Sequence, residues 1–298
     1  MCRRFQYYSQ NEWTDNIIVG KIKLNGEIVS PEYILLTQDV ISFHRPASEE
    51  PDVDRWYEVL FEDDHVMVVV KSGDLPVCES GRYVLNTLLN IIKEERGYNE
   101  LFAVQRLDKE TSGVLVIAKN KVSAAKMGEI ISAYEHNKEY HAVLYGTLPE
   151  PEVTVDAPLG KAGDSSIIRI RQKVVTTGKP AKTDFKSVWT DGRLTLAKVV
   201  TYTGRTHQIR CHAEYIGCPL AGDKLYGKED EDFLQLMKHE KPYWSDIAGE
   251  VDRQLLHASW LSFPHPVTGE RMEFSSDYRP FFTRYPKIEA FLRPLPPE

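Results

Sequence analysis

The sequence predicts an α+β fold, with a mixed, mainly antiparallel central sheet flanked by helices and loops, plus a small N-terminal domain. Three observations lead there. Short β-branched runs such as "VMVVV" (66–70) and "VLVIAKN" (114–120) read as strands. Segments such as "YVLNTLLNIIKEERG" carry apolar residues at helical spacing. The two kinds interleave irregularly, without the βαβ regularity of a parallel sheet.

In chain order, residues 1–50 form the small first unit. Its stretch "IIVGKIKLNGEIVSPEYILLTQDVISFHRP" alternates polar and apolar positions, and Asn25-Gly26 gives a hairpin-turn signal because both residues tolerate positive φ. An acidic, proline-containing linker covers about 47–55, and residues 55–298 form the main domain. There "WYEVLFEDDHVMVVVKSGDLPV" predicts a strand, a turn at 62–64 and a buried strand at 66–70. Leu85, Leu88, Leu89 and Ile92 mark an amphipathic helix ending in Gly97. "KVSAAKMGEIISAYEHN" predicts another helix and "KEYHAVLYGTL" another strand. Strands and turns fill 153–200. "RTHQIRCHAEYIG" reads as a helix capped by Thr206 and closed by Gly217. "LLHASWLSFPHPVTGERMEF" reads as a hairpin turning at Thr268-Gly269. No repeat or low-complexity segment interrupts the pattern.

The 298 residues are 42% apolar and 27% charged, which fits a soluble globular protein with a sizeable core. No run approaches the roughly 20 apolar residues of a membrane helix, and "MCRRFQYYSQ" lacks the apolar core of a signal peptide. Cys2, Cys78, Cys211 and Cys218 form no CxxC pair and no disulfide framework, so a reducing cytoplasm is expected. The net charge of −7 argues against a nucleic-acid partner only as a whole-chain number. Residues 161–186 hold seven Lys and Arg against two Asp, while acids crowd into 48–64 and 228–233. A polyanion can meet such a basic face while the acids point away, although a charge run alone is equally a solvated strand face. With no obvious exposed apolar stripe, a monomer is expected.

"VQRLDKETSG" (104–113) places Asp108 in a polar turn between apolar segments. From the turn alone, an Asx-turn or a helix cap accounts for it. A chemical role needs a partner that keeps the carboxylate ionised. "TYTGRTHQIRCH" (201–212) offers one, because a helix starting near Thr206 puts His207, Arg210 and Cys211 on one face. A basic, solvated helix start is the alternative there. A metal site built on His207 and His212 with His257 or His265 is disfavoured, since the i,i+5 spacing points the first two apart and no carboxylate or CxxC lies nearby. In "NKEYHAVLYG", Lys138 and Tyr140 share one strand face, where a tyrosine is ordinarily core.

"RLDKETSGVLVIAKN", "KEYHAVLYG", "GKPAKTDF", "TGRTHQIRCHAEYIGCPLAGDKLYG" and "LLHASWLSFPHPVTGE" occur in this order. Together they closely resemble the RluA-type pseudouridine synthases, which isomerise uridine in ribosomal or transfer RNA. The resemblance runs from about Trp56 to Phe282. It implies the fold of that family's catalytic domain, and residues 1–50 loosely resemble the small RNA-binding domain of ribosomal-protein type that often precedes it.

The resemblance implies Asp108 as the catalytic residue, Tyr140 packed against the target base and available as base or proton relay, and Arg210 as the ion-pair partner of Asp108. It implies Arg106 at the turn that displaces the base, and Lys138, Arg205, Thr206, His207 and Gln208 among the substrate-binding residues. It implies RNA as partner, and no cofactor or metal. The chemistry suits this inventory. Isomerisation breaks the bond from the anomeric carbon to ring nitrogen 1, turns the base, rejoins it through carbon 5 and releases a proton, with no redox change. An ionised carboxylate can attack the anomeric carbon or remove a sugar proton to start an elimination. Extruding the nucleotide costs a few kcal/mol, which phosphate contacts from 161–186 and Arg205 would offset. The sequence departs from the family pattern at Gln105 and Cys78, where histidine is usual, and at Ser72, where proline is usual. Two alternatives stand beside this reading. A non-catalytic RNA binder has no need of Asp108, Tyr140 and Arg210 together, and a hydrolase ordinarily needs a second catalytic acid, which the sequence does not identify.

Overall fold

The computed structural model describes residues 9–44, 50–163, 168, 170–239 and 251–295, and at 235–239 the backbone alone. The acids and bases at 45–49, 164–167 and 169 therefore lie outside the described residues, so the basic stretch is seen only in part.

In the N-terminal unit, α1 (Gln10–Ile18) starts at Ser9, which forms a reciprocal capping box with Glu12. Its Trp13 is buried against Phe43, and β1 (Ile22–Leu24) pairs antiparallel with β2 (Ile41–Phe43). Asn25 and Gly26 do turn the chain, at φ 51° and 88°. The strand partner of β1 comes from beyond residue 40, however, so the turn closes on Glu27 alone rather than opening a regular hairpin. The helix is also new. Its apolar residues are too few to announce it, and the capping box carries the signal.

Among the described residues one ten-stranded sheet organises the rest. The strands are β3 (Tyr57–Glu62), β4 (Val66–Lys71), β5 (Phe102–Ala103), β6 (Ser112–Ala118), β7 (Asn137–Tyr145), β8 (Glu152–Asp156), β11 (Lys182–Thr190), β12 (Leu194–Thr201), β13 (Leu256–Pro264) and β14 (Arg271–Ser275). Their order is β3-β4-β6-β13-β7-β12-β11-β8, with β5 beside β6 and β14 beside β13. All pairings are antiparallel except β13 with β6, so the sheet is mixed and mainly antiparallel as expected. A separate ribbon joins β9 (Leu159–Lys161) to β10 (Gln172–Val174). The helices are α2 (Leu88–Arg96), α3 (Lys121–Ser132), α4 (Gln208–Tyr215), α5 (Asp230–His239), α6 (Arg279–Phe282) and α7 (Pro286–Leu292).

The parallel junction matters most. Ala258 pairs with Gly113, whose φ is 112°, and a Cβ added there would lie 2.2 Å from the Ala258 carbonyl oxygen. Only glycine fits, so the strand that follows the Asp108 turn presses directly against β13.

Three details depart from the sequence reading. Helix α2 begins at Leu88 because Thr87 caps it, which leaves Leu85 exposed ahead of it. Helix α4 begins at Gln208, and its N-cap is His207 in the left-handed region at φ 54°, so Thr206 makes no cap. The acids do not all point outward. Glu50 is buried and accepts the backbone N–H groups of Leu85 and Asn86, and Asp230 pairs with Arg171 at 3.0 Å.

Candidate active site

The turn carrying Asp108 closes by the Thr111 amide donating to the Asp108 carbonyl at 3.0 Å. It is held from behind by two buried basic side chains. Lys71 donates to the Lys109 carbonyl at 3.1 Å and Arg253 to the Glu110 carbonyl at 2.9 Å. Gln254 donates from Nε2 to Thr111 Oγ1 at 2.8 Å and to Asp108 Oδ2 at 3.4 Å. With its backbone fixed from the core side, the Asp108 side chain faces a cleft of about 450 Å³.

Arg210, on the buried face of α4, donates from Nη1 to Asp108 Oδ2 at 2.8 Å. Its Nε and Nη2 are gripped by both oxygens of Asp223, at 2.6 and 2.9 Å, and the guanidinium lies over the Tyr226 ring, 5.0 Å from its centroid. Asp223 is fully buried and also accepts the backbone amides of Leu225 and Tyr226. Burial alone would raise the Asp108 pKa, but the Arg210 charge and hydrogen bond outweigh it and hold the carboxyl below its ordinary value. Asp108 is thus an anion at neutral pH with one side open to solvent.

Two of its neighbours, His207 and Tyr140, are neutral at neutral pH. His207 lies 3.9 Å from Asp108 and bonds to the Tyr226 hydroxyl at 3.0 Å. Burial and then the Arg210 charge lower its pKa to about 4, so this contact is not an ion pair at neutral pH. Tyr140 is buried beside the cleft, and burial followed by the Asp108 charge pushes its phenol well up, so it stays protonated. It can donate or relay a proton more readily than remove one. Burial brings Lys138, on the same strand face, down to about 8.

The remaining residues singled out in the sequence divide. Arg106 and Arg205 line the cleft. Arg205 donates to the Pro180 carbonyl at 3.0 Å and to the Tyr134 hydroxyl at 3.4 Å. Gln208 also lines it, but its amide is spent on the fold. Nε2 donates to Lys182 O and Thr183 Oγ1, and Oε1 accepts from Thr203 Oγ1 and the Arg205 amide. Thr206 is exposed and outside the cleft lining, and Cys211 faces the opposite way, towards the Gln172 carbonyl. In the basic stretch, Arg171 turns inward to Glu214, Asp230 and the Lys228 carbonyl, and Lys186 pairs with Glu152. Lys161, Lys173 and Lys179 remain exposed.

His212 spends both nitrogens on Thr183 Oγ1 and the Ala157 carbonyl, and His257 on Ser112 Oγ and the Ser276 carbonyl. Among the described residues no cluster of three His, Cys, Asp or Glu side chains is placed to hold a metal.

Asp223, Tyr226 and Gln254 also belong to the site, and none is singled out by the sequence. Two of them lie in "AGDKLYG", inside a quoted motif, but an acid beside a lysine gives no sign that it braces an arginine thirteen residues back.

A mixed sheet whose central junction carries one ionised carboxylate, beside a protonated phenol in a cation-lined cleft, defines a carboxylate-centred domain open to an anionic ligand. The chain belongs to the RNA pseudouridylate synthase family, whose model matches residues 65–215. It is 32% identical over 270 residues to the "Uncharacterized RNA pseudouridine synthase YjbO" of Bacillus subtilis, covering 86% of each chain. It is 32% identical over 232 residues to the mitochondrial tRNA pseudouridine(32) synthase of Saccharomyces cerevisiae, covering 76% of this chain and 48% of that one. It spans 64% and 48% of the lengths of the first two curated relatives it matches. Human RNA Pseudouridylate Synthase Domain Containing 4 superposes with a TM-score of 0.60 at 23% identity, covering 79% of this chain and 92% of that structure, which supports the fold.

Proposed function

We propose that the protein isomerises uridine to pseudouridine in structured ribosomal or transfer RNA, with Asp108 as its catalytic carboxylate. The observation that carries this is the anion of Asp108, held by Arg210 at the floor of a cleft whose other charged groups, Arg106, Lys138 and Arg205, have no carboxylate partner among the described residues. In a chain of net charge −7, such a concentration of unmatched cations suits a polyanion.

In this reading Asp108 attacks the anomeric carbon as the bond to ring nitrogen 1 breaks, or takes a sugar proton. In either route the electron pair of the broken bond leaves on the uracil. After the base turns, carbon 5 bonds to the anomeric carbon as the bond from Asp108 to that carbon breaks or, in the elimination route, as the sugar regains its proton. The carbon 5 proton then departs and nitrogen 1 gains one. Tyr140, as a phenol, packs against the base and relays that proton. Asp108 is the one carboxylate lining the described cleft, and the adjacent Glu110 is tied to Lys224 and the Gln254 amide. A hydrolase with a separate general acid finds no second carboxylate there.

The N-terminal unit serves as an accessory RNA-binding module, and the protein works as a monomer without cofactor or metal. None of its described helices is long and apolar enough to cross a membrane, and Cys78, Cys211 and Cys218 are free thiols, which suits a reducing compartment such as the cytoplasm. The test is pseudouridine mapping of total RNA from cells with the gene, without it, and with an Asp108→Asn copy restored. Sites lost on deletion should return with wild type and not with the variant. Full restoration by Asp108→Asn would remove the carboxylate from the chemistry, and no change at any site would favour a non-catalytic RNA binder.

A further inference from the structure

Outward from Asp108, Tyr140, Lys138 and His136 follow at alternating positions on and just before β7, forming a row along one wall of the cleft. Lys138 is the cation in that row, and it makes no side-chain hydrogen bond or ion pair among the described residues. Its ammonium lies against the backbone of the opposite wall, since a Cβ added to Gly204 would sit 3.4 Å from Lys138 Nζ. The next residue, Arg205, is fixed by the Pro180 carbonyl and the Tyr134 hydroxyl, neither of which offsets its charge. Beside them, His136 Nδ1 is buried without a hydrogen-bond partner.

Two cations thus line one cleft, each without a carboxylate partner among the described residues. That arrangement is costly while empty and favourable once a compact anion enters. Asp108 and Tyr140 line the same cleft, so an anion held there shares it with the group that occupies the floor. We propose that Lys138 and Arg205 form a subsite for one phosphodiester of the RNA chain, immediately beside the target nucleotide. The proposal rests on the RNA reading above and adds a pH-dependent step to it.

The titratable and charged groups lining the cleft around Lys138 are Tyr134, His136 and Tyr140 on its own segment, Arg205, His207 and Arg210 around the start of α4, and Arg106 and Asp108 in the turn before β6. Arg271 on β14 adds its charge from beyond His136. His136 and His207 are both brought down to about 4 and Asp108 is lowered, so all three have finished titrating by neutral pH. Tyr140 is pushed well up. Among these shifted groups, Lys138 alone crosses between its two forms from pH 7 to 9. Phosphate binding at this subsite therefore weakens across that window, as the ammonium is lost.

The experiment measures binding of fluorescein-labelled oligouridylate to the full chain by fluorescence anisotropy, across a salt series at pH 7 and pH 9. Wild type should weaken several-fold between the two pH values. Lys138→Met should lower the slope of log affinity against log salt by about 0.7, one single-strand phosphate contact, and abolish the pH effect. Lys138→Arg should keep the slope and also lose the pH effect, because a guanidinium stays charged. This rescue separates a charge role from a packing role. An unchanged salt slope in Lys138→Met, or wild-type pH dependence in Lys138→Arg, overturns the subsite while leaving the RNA reading intact. If wild type itself shows no salt-dependent affinity for oligouridylate, the RNA reading falls and the subsite with it.

Discussion

Asp223 holds Arg210 by two parallel hydrogen bonds, 2.6 Å to Nε and 2.9 Å to Nη2, which leaves Nη1 of the same guanidinium to reach Asp108 at 2.8 Å. The planar fork carries the position of one carboxylate across to the other. Asp223 is anchored by two backbone amides, so the orientation of Asp108 ultimately refers to the chain at Leu225 and Tyr226.

Removing the brace should expose this. Asp223→Ala leaves the Arg210 charge half-paired in the core, and loss of a buried partner of this kind costs about 3–5 kcal/mol. The Asp223 pKa is depressed when folded, so its contribution is present above the ordinary carboxyl value of 3.8 and is lost as pH falls through the folded value. Urea unfolding should therefore show a large deficit at neutral pH that narrows below about pH 4. An equal deficit at all pH values would assign the loss to packing alone.

Arg210→Met should act on charge. Burial would then dominate at Asp108 and raise its pKa, so the ionised fraction at a given pH falls and the acidic limb of the pH–rate profile moves upward. Arg210→Lys, which keeps a cation without the fork, should move the limb less. A profile unchanged in Arg210→Met would show that the guanidinium does not set the charge of Asp108.

Tyr140→Phe keeps the ring and deletes the hydroxyl. As a proton relay, Tyr140 should cost about 10²-fold or more in kcat with little change in KM. Because the phenol is held protonated, no limb of the pH–rate profile below pH 9 should belong to it. Single-turnover kinetics within a few-fold of wild type would reduce Tyr140 to a packing surface for the base.

Gly113→Ala drives a methyl into the Ala258 carbonyl and demands a left-handed backbone of an alanine. The strain is worth about 1–3 kcal/mol before any strand displacement. The urea midpoint should fall, and turnover should fall further than stability accounts for, since the Asp108 turn rides on that strand. Wild-type midpoint and turnover would mean the junction relaxes freely.

Much of the sheet was legible because β-branched runs such as 66–70 and 114–120 declare themselves locally. Asp108 and Arg210 were legible as a pair only through their motifs, since 102 residues separate them. Asp223 and Gln254 were not, because their roles exist only after α4 and β13 have docked around the turn. The start of α4 was misjudged for a local reason. Thr206 looks like a cap, but the chain turns one residue later through a left-handed His207 that bonds to Tyr226. Arg171 was misjudged for the opposite reason, because its charge suggested an exposed phosphate contact while Glu214 and Asp230 draw it inward.

The seam between β6 and β13 has a consequence for how the protein comes into being. Ser112 and His257, bonded across it at 2.9 Å, are 145 residues apart, so the seam is among the slowest kinds of contact for a chain to close. A chain leaving the ribosome exposes Asp108 long before Arg210, and Gln254 and β13 emerge later still. Before those segments emerge, the aspartate has neither its guanidinium nor its amide partner. The surroundings of Asp108 are therefore complete only once Gln254 and β13 have been made, and a chain truncated before Arg210 holds the carboxylate without either partner.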